Sequence, residues 1–567
     1  MADLGALIRK IAIKNAYDYG KADVKAVVGK VIAEAPEAKN DMKTLMEVIR
    51  NTCNEVNALD KSQIEKEYNS YGIVEVKKEE KREWKLDDVS GKVVARFSPE
   101  PNGYLHIGHA KAMLINYKVS EAHGGEFYVK FDDTNPETCK QEYVDAIIND
   151  VKWMGITPSK ILFVSDIFDQ IVQIGEKFLR EQHAYICTCT QDEMKEKRAK
   201  GEECKCRGRS IEENLELWEK MKTTMPEGKA VMRLKGDMKS LNTTMRDPVL
   251  FRVLEAKHYR LGNKYRVYPA YDFENPLSDV IFGVTHILRS KEFELRAELQ
   301  ETIVRWAGFT PPKYYEFARL AIEGYPVSKR LIRPHVESGF FTGFDDPRLV
   351  TLAGLRRRGI PPQAIAEYVL SFGLSKVEVE TDLKKLLAET RKYYEPIAKH
   401  YYAAKEPRKL KIEGLGSGVL AVRLHSTLDM GTRPVPFSDE VYISAEDFDE
   451  LHELELVRLK DLRNINVVRI DKSKGYAECK VALVQDVVKD SKKLQWVDSR
   501  TCVLCTFWYL DKPFNGEEKN EKSLIEVKGM CEAAAAKNIQ EKEVVQFERM
   551  GYFILDNKEK MIFIKTD

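Results

Sequence analysis

The feature that most constrains the fold is a strand, a loop and a helix start at residues 93–115. Residues 93–97 (VVARF) are β-branched and apolar, as in a buried strand, and residues 110–115 (AKAMLI) have the composition of a helix. The loop between them ends in PNGYLHIGHA (101–110). It would direct backbone N–H groups and the positive end of a helix dipole at one point, as phosphate sites require. This arrangement predicts a nucleotide-phosphate site in an α/β domain.

Two histidines, His106 and His109, lie three positions apart and therefore on one face of the first helical turn. Imidazole can donate to phosphate oxygens that gain charge during transfer, and Gly108 leaves the backbone open to a flat ring. In the alternative interpretation, one histidine caps the helix and the other is structural. The flanking residues and a second motif, VSKR (327–330, the signature loop), favour the functional interpretation. A Gly- and Pro-flanked loop with adjacent cations can close over a triphosphate.

Composition limits the class of protein. A chain of 567 residues is too long for one core and should form several domains. Because the net charge is only +1, any binding of nucleic acid must use local basic patches. No apolar stretch approaches the about 18–20 residues of a membrane span, so no membrane association is expected. Ten cysteines spread along the chain favour reduced thiols or metal binding, and we expect a cytoplasmic protein.

The pattern of predicted elements changes along the chain. Strands and helices alternate from about residue 90, as in a doubly wound parallel sheet, and short alternating strands after about residue 410 predict one or two β-barrels. The predicted segments are an N-terminal helical domain (1–75), a charged linker (76–89), the first half of the α/β domain (90–206), a basic insertion (207–260), the second half (261–340), a helical connector (341–405) and the β-barrel region (406–567).

Charged residues follow two of the predicted strands. Asp132 and Asp133 come after the strand at 126–131, at the strand end where open α/β sheets bind ligands. We expect one aspartate to bind a substrate ammonium and the other to cap the turn before a helix. An apolar run at 279–288 predicts another buried strand that ends at Arg289, which on spacing alone fits a surface arginine equally well.

Four cysteines form two close pairs, CTC (187–189) and CKC (204–206). Two thiolate pairs separated by one short excursion can close a tetrahedral zinc site. The alternative is four surface thiols in an exposed hairpin, which would be prone to oxidation without a metal. We therefore predict a structural zinc site, whose ligands are Cys187, Cys189, Cys204 and Cys206.

These motifs, taken together and in order, resemble those of the class I aminoacyl-tRNA synthetases, and within them the glutamyl/glutaminyl branch. The segments that carry the resemblance are RFSPEPNGYLHIGH (96–109), FDDTNP (131–136), YPAYDF (268–273), GVTH (283–286), VSKR (327–330), GFDDPRL (343–349) and MGTR (430–433). The N-terminal helices and the β-rich C-terminal part resemble the archaeal and eukaryotic form of the glutamyl enzymes.

The resemblance implies a Rossmann-like catalytic core, an insertion that binds the tRNA acceptor end, and β-barrels that bind the anticodon. It implies that His106 and His109 stabilise the phosphoryl transition state of ATP, which binds with Mg²⁺, and that Lys329 is a mobile-loop lysine on the same phosphates. The further ATP-binding residues that it implies are Glu100, Asn102, Gly108 and Ser328. The family's usual KMSKS motif departs here, because Pro326 and Val327 replace its first two residues. A monomer that binds tRNA(Glu) is expected, and tRNA(Gln) stays open as a second substrate.

Charge decides between glutamate and glutamine, because the two side chains have nearly the same size. Glutaminyl enzymes have a small neutral cysteine where this chain has Arg289, whose guanidinium can pair with a γ-carboxylate. The resemblance makes Arg96 the second cation, Tyr271 a hydrogen-bond donor and Asp132 the ligand of the ammonium. The sequence therefore predicts a glutamate–tRNA ligase. The alternatives are a glutaminyl-tRNA synthetase, a small-molecule adenylyltransferase and a tRNA-binding protein without catalysis.

Overall fold

The computed structural model describes residues 2–35, 42–71, 84–87, 89–484, 486–488 and 491–567. The chain divides into two compact units, Met1–Glu83 and Trp84–Asp567. Residues 76–83 and 88 of the predicted charged linker lie outside the described residues. Among the described residues, every helix is too short or too polar to cross a membrane.

The first unit consists of helices. They are α1 (Ala2–Tyr19), α2 (Val24–Glu34), α3 (Met42–Asn57) and α4 (Lys61–Ser70). Apolar residues recur along each helix at helical spacing, and they meet in one core that contains Ile8, Val27 and Ile49. Asp23 caps α2, because its side chain accepts a hydrogen bond from the N–H of Ala26.

The second unit begins with a parallel sheet. Its elements are β1 (Val94–Phe97), α5 (Ile107–Ala122), β2 (Glu126–Phe131), α6 (Gln141–Trp153), β3 (Lys160–Phe163) and α7 (Phe168–Arg180). The three strands are parallel and adjacent in the order β1-β2-β3. All four residues of β1 are buried, as expected for a parallel strand with helices on the sheet faces. The predicted α/β architecture is confirmed.

An antiparallel sheet interrupts the α/β pattern. Its elements are β4 (Ala184–Cys187), α8 (Gln191–Lys200), α9 (Ile211–Thr223), β5 (Val231–Leu234), β6 (Val249–Val253) and β7 (Val267–Pro269). The strand order is β4-β5-β6-β7. The sheet therefore extends beyond both ends of the predicted insertion at 207–260. Sequence periodicity cannot show this, because β4 pairs with residues up to fifty positions later, with Ala184 opposite Leu234.

The α/β pattern then resumes. Its elements are α10 (Tyr271–Ile281), β8 (His286–Ser290), α11 (Ala297–Ala307), β9 (Lys313–Phe317), β10 (Leu320–Ile322) and α12 (Lys329–Glu337). The predicted strand at 279–288 is wrong in its first part, because the residues up to Ile281 complete α10. A buried helix segment and a buried strand produce the same short apolar run. Strand β8 pairs in parallel with β9 and lies beside β1, where the N–H of Thr285 donates to the carbonyl of Val94 (3.0 Å).

This topology brings three strand ends to one edge. Ser98 directly follows β1, and Asp132 directly follows β2. Arg289 lies near the carboxyl end of β8. In open α/β sheets, ligands bind outside the carboxyl ends of the strands. The fold therefore places these side chains around a common cavity.

A short connector follows. Its elements are α13 (Leu352–Arg357), α14 (Pro362–Leu370), β11 (Val379–Thr381) and α15 (Lys384–Tyr394). Strand β11 pairs in parallel with β10. Buried residues of α14, including Ile365 and Tyr368, belong to the same core as α5 and β2, so the connector packs on the α/β domain.

The remainder of the chain is mainly β. Its elements are β12 (His400–Tyr401), β13 (Ala403–Lys405), β14 (Arg408–Glu413), β15 (Gly418–Arg423), β16 (Thr432–Phe437), β17 (Glu440–Ile443), α16 (Ala445–Asp449), β18 (Leu456–Leu459), β19 (Asn464–Asp471), β20 (Tyr476–Val481), β21 (Lys492–Leu494), β22 (Val497–Asp498), β23 (Val503–Leu510), β24 (Phe514–Asn515), β25 (Glu518–Lys519), β26 (Leu524–Cys531), α17 (Ala533–Asn538), β27 (Val544–Phe547), β28 (Gly551–Asn557) and β29 (Ile562–Lys565).

Two seven-stranded sheets dominate this region, in the orders β21-β18-β19-β20-β14-β17-β22 and β12-β27-β28-β29-β23-β26-β13. In each sheet the two end strands are consecutive in the chain, so a bent segment closes the sheet into a barrel. The barrel prediction is confirmed, although its first strands precede the predicted start at residue 406. Between β23 and β26, the N–H of Phe514 donates to the carbonyl of Gly324 (3.2 Å), close to the signature loop.

Candidate active site

A cavity of about 870 Å³ lies at the carboxyl edge of the parallel sheet. The predicted site residues that line it are Arg96, Glu100, His106, Gly108, His109, Asp132, Tyr271 and Arg289. Asn102, Ser328 and Lys329 are not among the lining residues, but Val327 of the signature loop is. The structure therefore brings eight predicted residues together around one space that can hold a nucleotide and an amino acid.

The two histidines form a rigid pair at the start of α5. The Nδ1 atom of His106 accepts a hydrogen bond from the N–H of Gly108 (3.1 Å), and that of His109 accepts one from the N–H of His106 (3.2 Å). Their rings stack with centroids 3.7 Å apart. Because each Nδ1 is an acceptor, these bonds assign the ring proton to Nε2, which remains available as a donor.

Burial keeps both rings neutral. It lowers the pKa of His109 to about 4, and burial together with the charges of His109 and Arg319 lowers the pKa of His106 well below its ordinary value. His106 thus caps the helix, as the alternative interpretation proposed, and lines the cavity as well. Gly108 accommodates the ring of His106, because a Cβ at this position would lie only 3.0 Å from Cε1 of that ring.

The signature loop meets the loop before α5. Nζ of Lys329 donates to the carbonyl of Asn102 and lies 4.5 Å from the centroid of the Tyr143 ring. Burial and the nearby Arg333 lower the pKa of Lys329. A Cβ on Gly103 would lie 3.2 Å from Cδ of this lysine, so the glycine permits the close approach. Two motifs more than 200 residues apart are therefore in direct contact.

The floor of the cavity rests on a buried ion network, here called the Asp279 network, formed by Arg96, Lys130, Asp132 and Asp279, of which Arg96 and Asp132 line the cavity. Nε of Arg96 lies 3.1 Å from Oδ1 of Asp279, and Nζ of Lys130 lies 2.8 Å from the same oxygen and 3.2 Å from Oδ1 of Asp132. Although burial opposes its charge, the nearby Arg96 and Lys130 hold the pKa of Asp279 below its ordinary value. Arg96 uses Nε and Nη2 in this pair, which leaves Nη1 for a ligand.

The two aspartates after β2 have different partners. Asp132 lines the cavity and accepts a hydrogen bond from Oγ of Ser98 (2.8 Å). Asp133 is fully buried and accepts hydrogen bonds from the N–H (2.8 Å) and Oγ (2.7 Å) of Ser165. The expectation that one of the pair caps a following helix is wrong, because α6 begins only at Gln141. Asp133 instead anchors the loop after β2 to the turn after β3.

Arg289 lies at the end of β8 with 5% of its surface exposed. It donates to Oε1 of Gln300 (2.5 Å) and to the carbonyl of Phe293 (3.2 Å), and its guanidinium carbon lies 4.4 Å from the centroid of the Tyr314 ring. Among the described residues no carboxylate pairs with it, and its Nε is buried without a partner. Burial lowers its pKa. The interpretation as a surface arginine is wrong: this is a buried cation that lacks an anion.

Tyr271 begins α10 beside these groups. Burial raises the pKa of its phenol, so the hydroxyl stays protonated and can donate a hydrogen bond to a ligand. Its ring lies 5.5 Å from that of Phe293, the residue whose carbonyl holds Arg289. The tyrosine and the arginine therefore share one wall of the cavity.

The four cysteines of the predicted zinc site come together between β4 and the turn before α9. Their sulfur atoms all lie within 4.8 Å of one another, with Cys187 3.9 Å from Cys204 and Cys189 3.7 Å from Cys206. A tetrahedral zinc–thiolate site with Zn–S bonds of about 2.3 Å has sulfur separations of about 3.8 Å. The donor set and its spacing therefore fit a zinc ion.

Sequence reasoning missed one residue that lines the cavity and three that hold lining residues in place. Lys130 and Asp279 connect Arg96 to Asp132, Glu274 lines the cavity, and Gln300 orients Arg289. One signal was available, because a lysine inside the apolar run of β2 is costly unless it is paired. Gln300 gave no signal, since its role depends on the packing of α11 against β8.

Comparisons with known proteins place this geometry in context. A family profile described as the catalytic domain of class I tRNA synthetases (E and Q) matches residues 92–395. Two profiles for the anticodon-binding domain of the same class match residues 398–483 and 493–556.

Individual proteins are similar over almost the whole chain. A glutamate–tRNA ligase of Nitrosopumilus maritimus is 37% identical over 98% of this chain and 98% of its own length. A glutamate–tRNA ligase of Korarchaeum cryptofilum is 38% identical over 100% of this chain and 99% of its own length. Among solved structures, a glutamate tRNA ligase of Elizabethkingia meningosepticum, in complex with its amino acid, has a TM-score of 0.42 and 19% identity, covering 54% of this chain and 70% of that chain.

Proposed function

The chain belongs to the class I tRNA synthetases (E and Q), and we propose that it ligates glutamate to tRNA. In the first step the α-carboxylate of glutamate attacks the α-phosphate of ATP, which yields glutamyl-adenylate and pyrophosphate. In the second step the 3′-terminal ribose of tRNA takes the glutamyl group and releases AMP. This chemistry needs positioning and charge stabilisation and no covalent protein nucleophile.

The observation that carries the choice of glutamate is the unpaired cation Arg289. A buried guanidinium without an anion is costly, and a γ-carboxylate would supply the missing charge with charge-assisted hydrogen bonds. The neutral amide of glutamine would leave the guanidinium uncompensated. Nη1 of Arg96 is the second donor that we assign to this carboxylate, and the hydroxyl of Tyr271 is a third. Asp132 is the proposed ligand of the α-ammonium group.

The start of α5 is the proposed binding site for the phosphates. Neutral His106 and His109 would donate from Nε2 to phosphate oxygens as these gain charge. Lys329 would exchange the carbonyl of Asn102 for the phosphates when the signature loop closes.

Other residues complete the proposed nucleotide site. Glu100, Asn102, Gly108 and Ser328 are the further residues that we assign to ATP. The Mg²⁺ that accompanies ATP would neutralise part of the phosphate charge.

The tRNA is expected to contact two regions. The antiparallel sheet from Ala184 to Pro269 adjoins the cavity through Val231, Val249 and Arg252, and we assign the acceptor end to it. The two barrels match anticodon-binding profiles, and we assign the anticodon to them. We propose tRNA(Glu) as the substrate, and whether tRNA(Gln) is a second one is an outcome of the charging experiment.

We also propose that Cys187, Cys189, Cys204 and Cys206 hold a structural zinc ion, on the strength of their sulfur spacing. The metal would hold the segment between β4 and α8 against the turn before α9. Metal analysis of the purified protein after dialysis should find one zinc per chain. A protein without zinc and with four free thiols at these positions would refute the site.

The compartment and the oligomeric state stay predictions. None of the ten cysteines forms a disulfide bond, which suits the reducing environment of the cytoplasm. We expect a monomer, which light scattering can test.

Charging assays with purified tRNA(Glu) and tRNA(Gln), each with glutamate and with glutamine, test the proposed function. Glutamate should be attached in an ATP-dependent manner, and glutamine should not. Attachment of glutamine alone would establish the glutaminyl enzyme instead. The variant Arg289→Cys tests the basis of this choice, because it removes the cation and should abolish the preference for glutamate.

A further inference from the structure

Glu274, on the first turn of α10, lines the cavity with an unsatisfied carboxyl group. Only 1% of its surface is exposed, and its Oε2 is buried without a hydrogen-bond partner. Buried carboxyl groups are almost always hydrogen-bonded or paired with a cation, because an unpaired one loses its hydration without compensation. A polar group left unsatisfied inside a ligand cavity points to a partner that the ligand brings.

Asp132 alone cannot satisfy an ammonium group. Its Oδ1 accepts a hydrogen bond from Oγ of Ser98 (2.8 Å) and lies 3.2 Å from Nζ of Lys130. Its Oδ2 accepts one from Nδ2 of Asn275 (2.8 Å). Since a carboxylate oxygen has two lone pairs, one acceptor position on Oδ2 is left for a ligand. An α-ammonium group has three N–H bonds to place.

We propose that Glu274 is a second carboxyl ligand of the substrate's α-ammonium group, beside Asp132. This inference rests on the proposed function and assigns a residue that determines how its amino acid is bound. The ammonium group would donate to Oδ2 of Asp132 and to the free carboxyl of Glu274. The two carboxyl groups would then divide the positive charge between β2 and α10.

The charges around Glu274 agree with this role. Burial, with the like charges of Asp132, Asp279 and Asp133, raises its pKa well above the ordinary value, and the charge of Lys130 opposes them. The raised pKa favours the protonated form of the carboxyl group when no substrate is bound, which spares the site an uncompensated anion. An ammonium group supplies the cation that lets Glu274 ionise. A substrate with a neutral group at this position therefore gains less binding free energy from Glu274.

The test compares Glu274→Gln, which keeps the shape and removes the charge, with Asp150→Asn. Asp150 is a buried carboxylate of the same unit that pairs with Arg356 and does not line the cavity. In glutamate-dependent ATP–pyrophosphate exchange with tRNA present, Glu274→Gln should raise the KM for glutamate by about tenfold or more. The KM for ATP should change less than about twofold. Asp150→Asn should leave both KM values close to those of the wild type.

An analogue that lacks the ammonium charge separates recognition of that charge from packing. 2-Hydroxyglutarate carries a hydroxyl where glutamate carries the ammonium, and its inhibition constant should change little in Glu274→Gln. The preference for glutamate over this analogue should therefore fall by about tenfold. Equal weakening of both ligands, or an unchanged KM for glutamate, would overturn the proposal. If the wild-type protein cannot activate glutamate at all, the proposed function falls as well; if it can and Glu274→Gln matches it, only the role of Glu274 is refuted.

Discussion

Two parts of the cavity differ in whether their buried charges are paired. In the Asp279 network every charged group has a partner of opposite sign, whereas Arg289 at the end of β8 has none among the described residues. The network is complete before a ligand arrives and therefore fixes the geometry of the floor. The unpaired arginine is incomplete, and its missing anion defines the ligand. A neutral network holds a site in place, and an uncompensated charge selects what enters it.

The largest expected effect comes from breaking the network. Asp279→Asn removes the anion shared by Arg96 and Lys130, which leaves the buried Arg96 without a paired carboxylate and leaves Lys130 with Asp132 alone. The second unit should lose about 3–5 kcal/mol of stability, measured by urea or thermal denaturation. The exposed pair Arg305–Glu301 is the control, since Glu301→Gln should change stability by less than about 1 kcal/mol. A stable Asp279→Asn protein would show that the network does not hold the floor.

His109→Ala is expected to impair catalysis while leaving both the Asp279 network and Arg289 intact. The histidine stacks on His106, and among the described residues it has neither a hydrogen bond nor a ring contact with the Asp279 network or Arg289. Adenylate formation should fall by about 10²–10³-fold, as for the loss of a transition-state donor. Binding of tRNA, followed by filter retention or fluorescence, should remain unchanged, and so should the KM for glutamate. Near-normal charging by this variant would contradict the proposed role of the histidine.

Arg289→Met tests the other side of the comparison. Removing an unpaired buried cation relieves its desolvation cost, so the loss of the bonds to Gln300 and Phe293 should cost less than about 1 kcal/mol of stability. Activation of glutamate should nevertheless fall by about a hundredfold, because the γ-carboxylate loses its charge-assisted partner. If stability fell as far as in Asp279→Asn, the contrast between the two parts would be wrong.

The same contrast explains what could be predicted from the sequence. Arg289, His106 and His109 lie in motifs that can be interpreted locally, because a strand end or a helix start fixes their position. The partners that give these groups their chemistry come from distant segments. Gln300 meets Arg289 through the packing of α11, and Lys130 meets Asp279 across the sheet. No periodicity in the sequence indicates such pairs.

In the fold too, features with a local sequence pattern could be predicted, and features set by distant pairing could not. Alternating strands and helices predicted the parallel sheet, and repeated short strands predicted the barrels, because both patterns are local. The limits of the antiparallel insertion were missed, since they depend on the pairing of Ala184 with Leu234. The apolar run at 279–288 was assigned to a strand, although α10 contains its first residues. Tertiary pairing decides such ambiguous segments.

The smallest expected effect is a pH dependence of the KM for glutamate, which originates in the carboxyl group of Glu274. The raised pKa of Glu274 favours its protonated form in the free protein, and binding of the ammonium group requires its ionised form. As the pH falls below that raised pKa, the substrate must displace a more firmly held proton, so the KM for glutamate should rise. The limit is about tenfold per pH unit for one proton. The KM for ATP should stay constant over the same range, because burial lowers the pKa of His109 to about 4 and its ring stays neutral.

Glu274→Gln decides whether this dependence belongs to the carboxyl group. The amide cannot titrate, so the KM for glutamate in this variant should be higher than in the wild type at neutral pH and flat as the pH falls. A variant that keeps the wild-type slope would place the titrating group elsewhere, for example on Asp132, whose pKa burial also raises. Two results together would locate the two functions: a KM for glutamate that is independent of pH in Glu274→Gln, and one that still rises as the pH falls in Arg289→Met. The titrating proton would then belong to the group that binds the ammonium, and the selection for charge to the group that binds the γ-carboxylate.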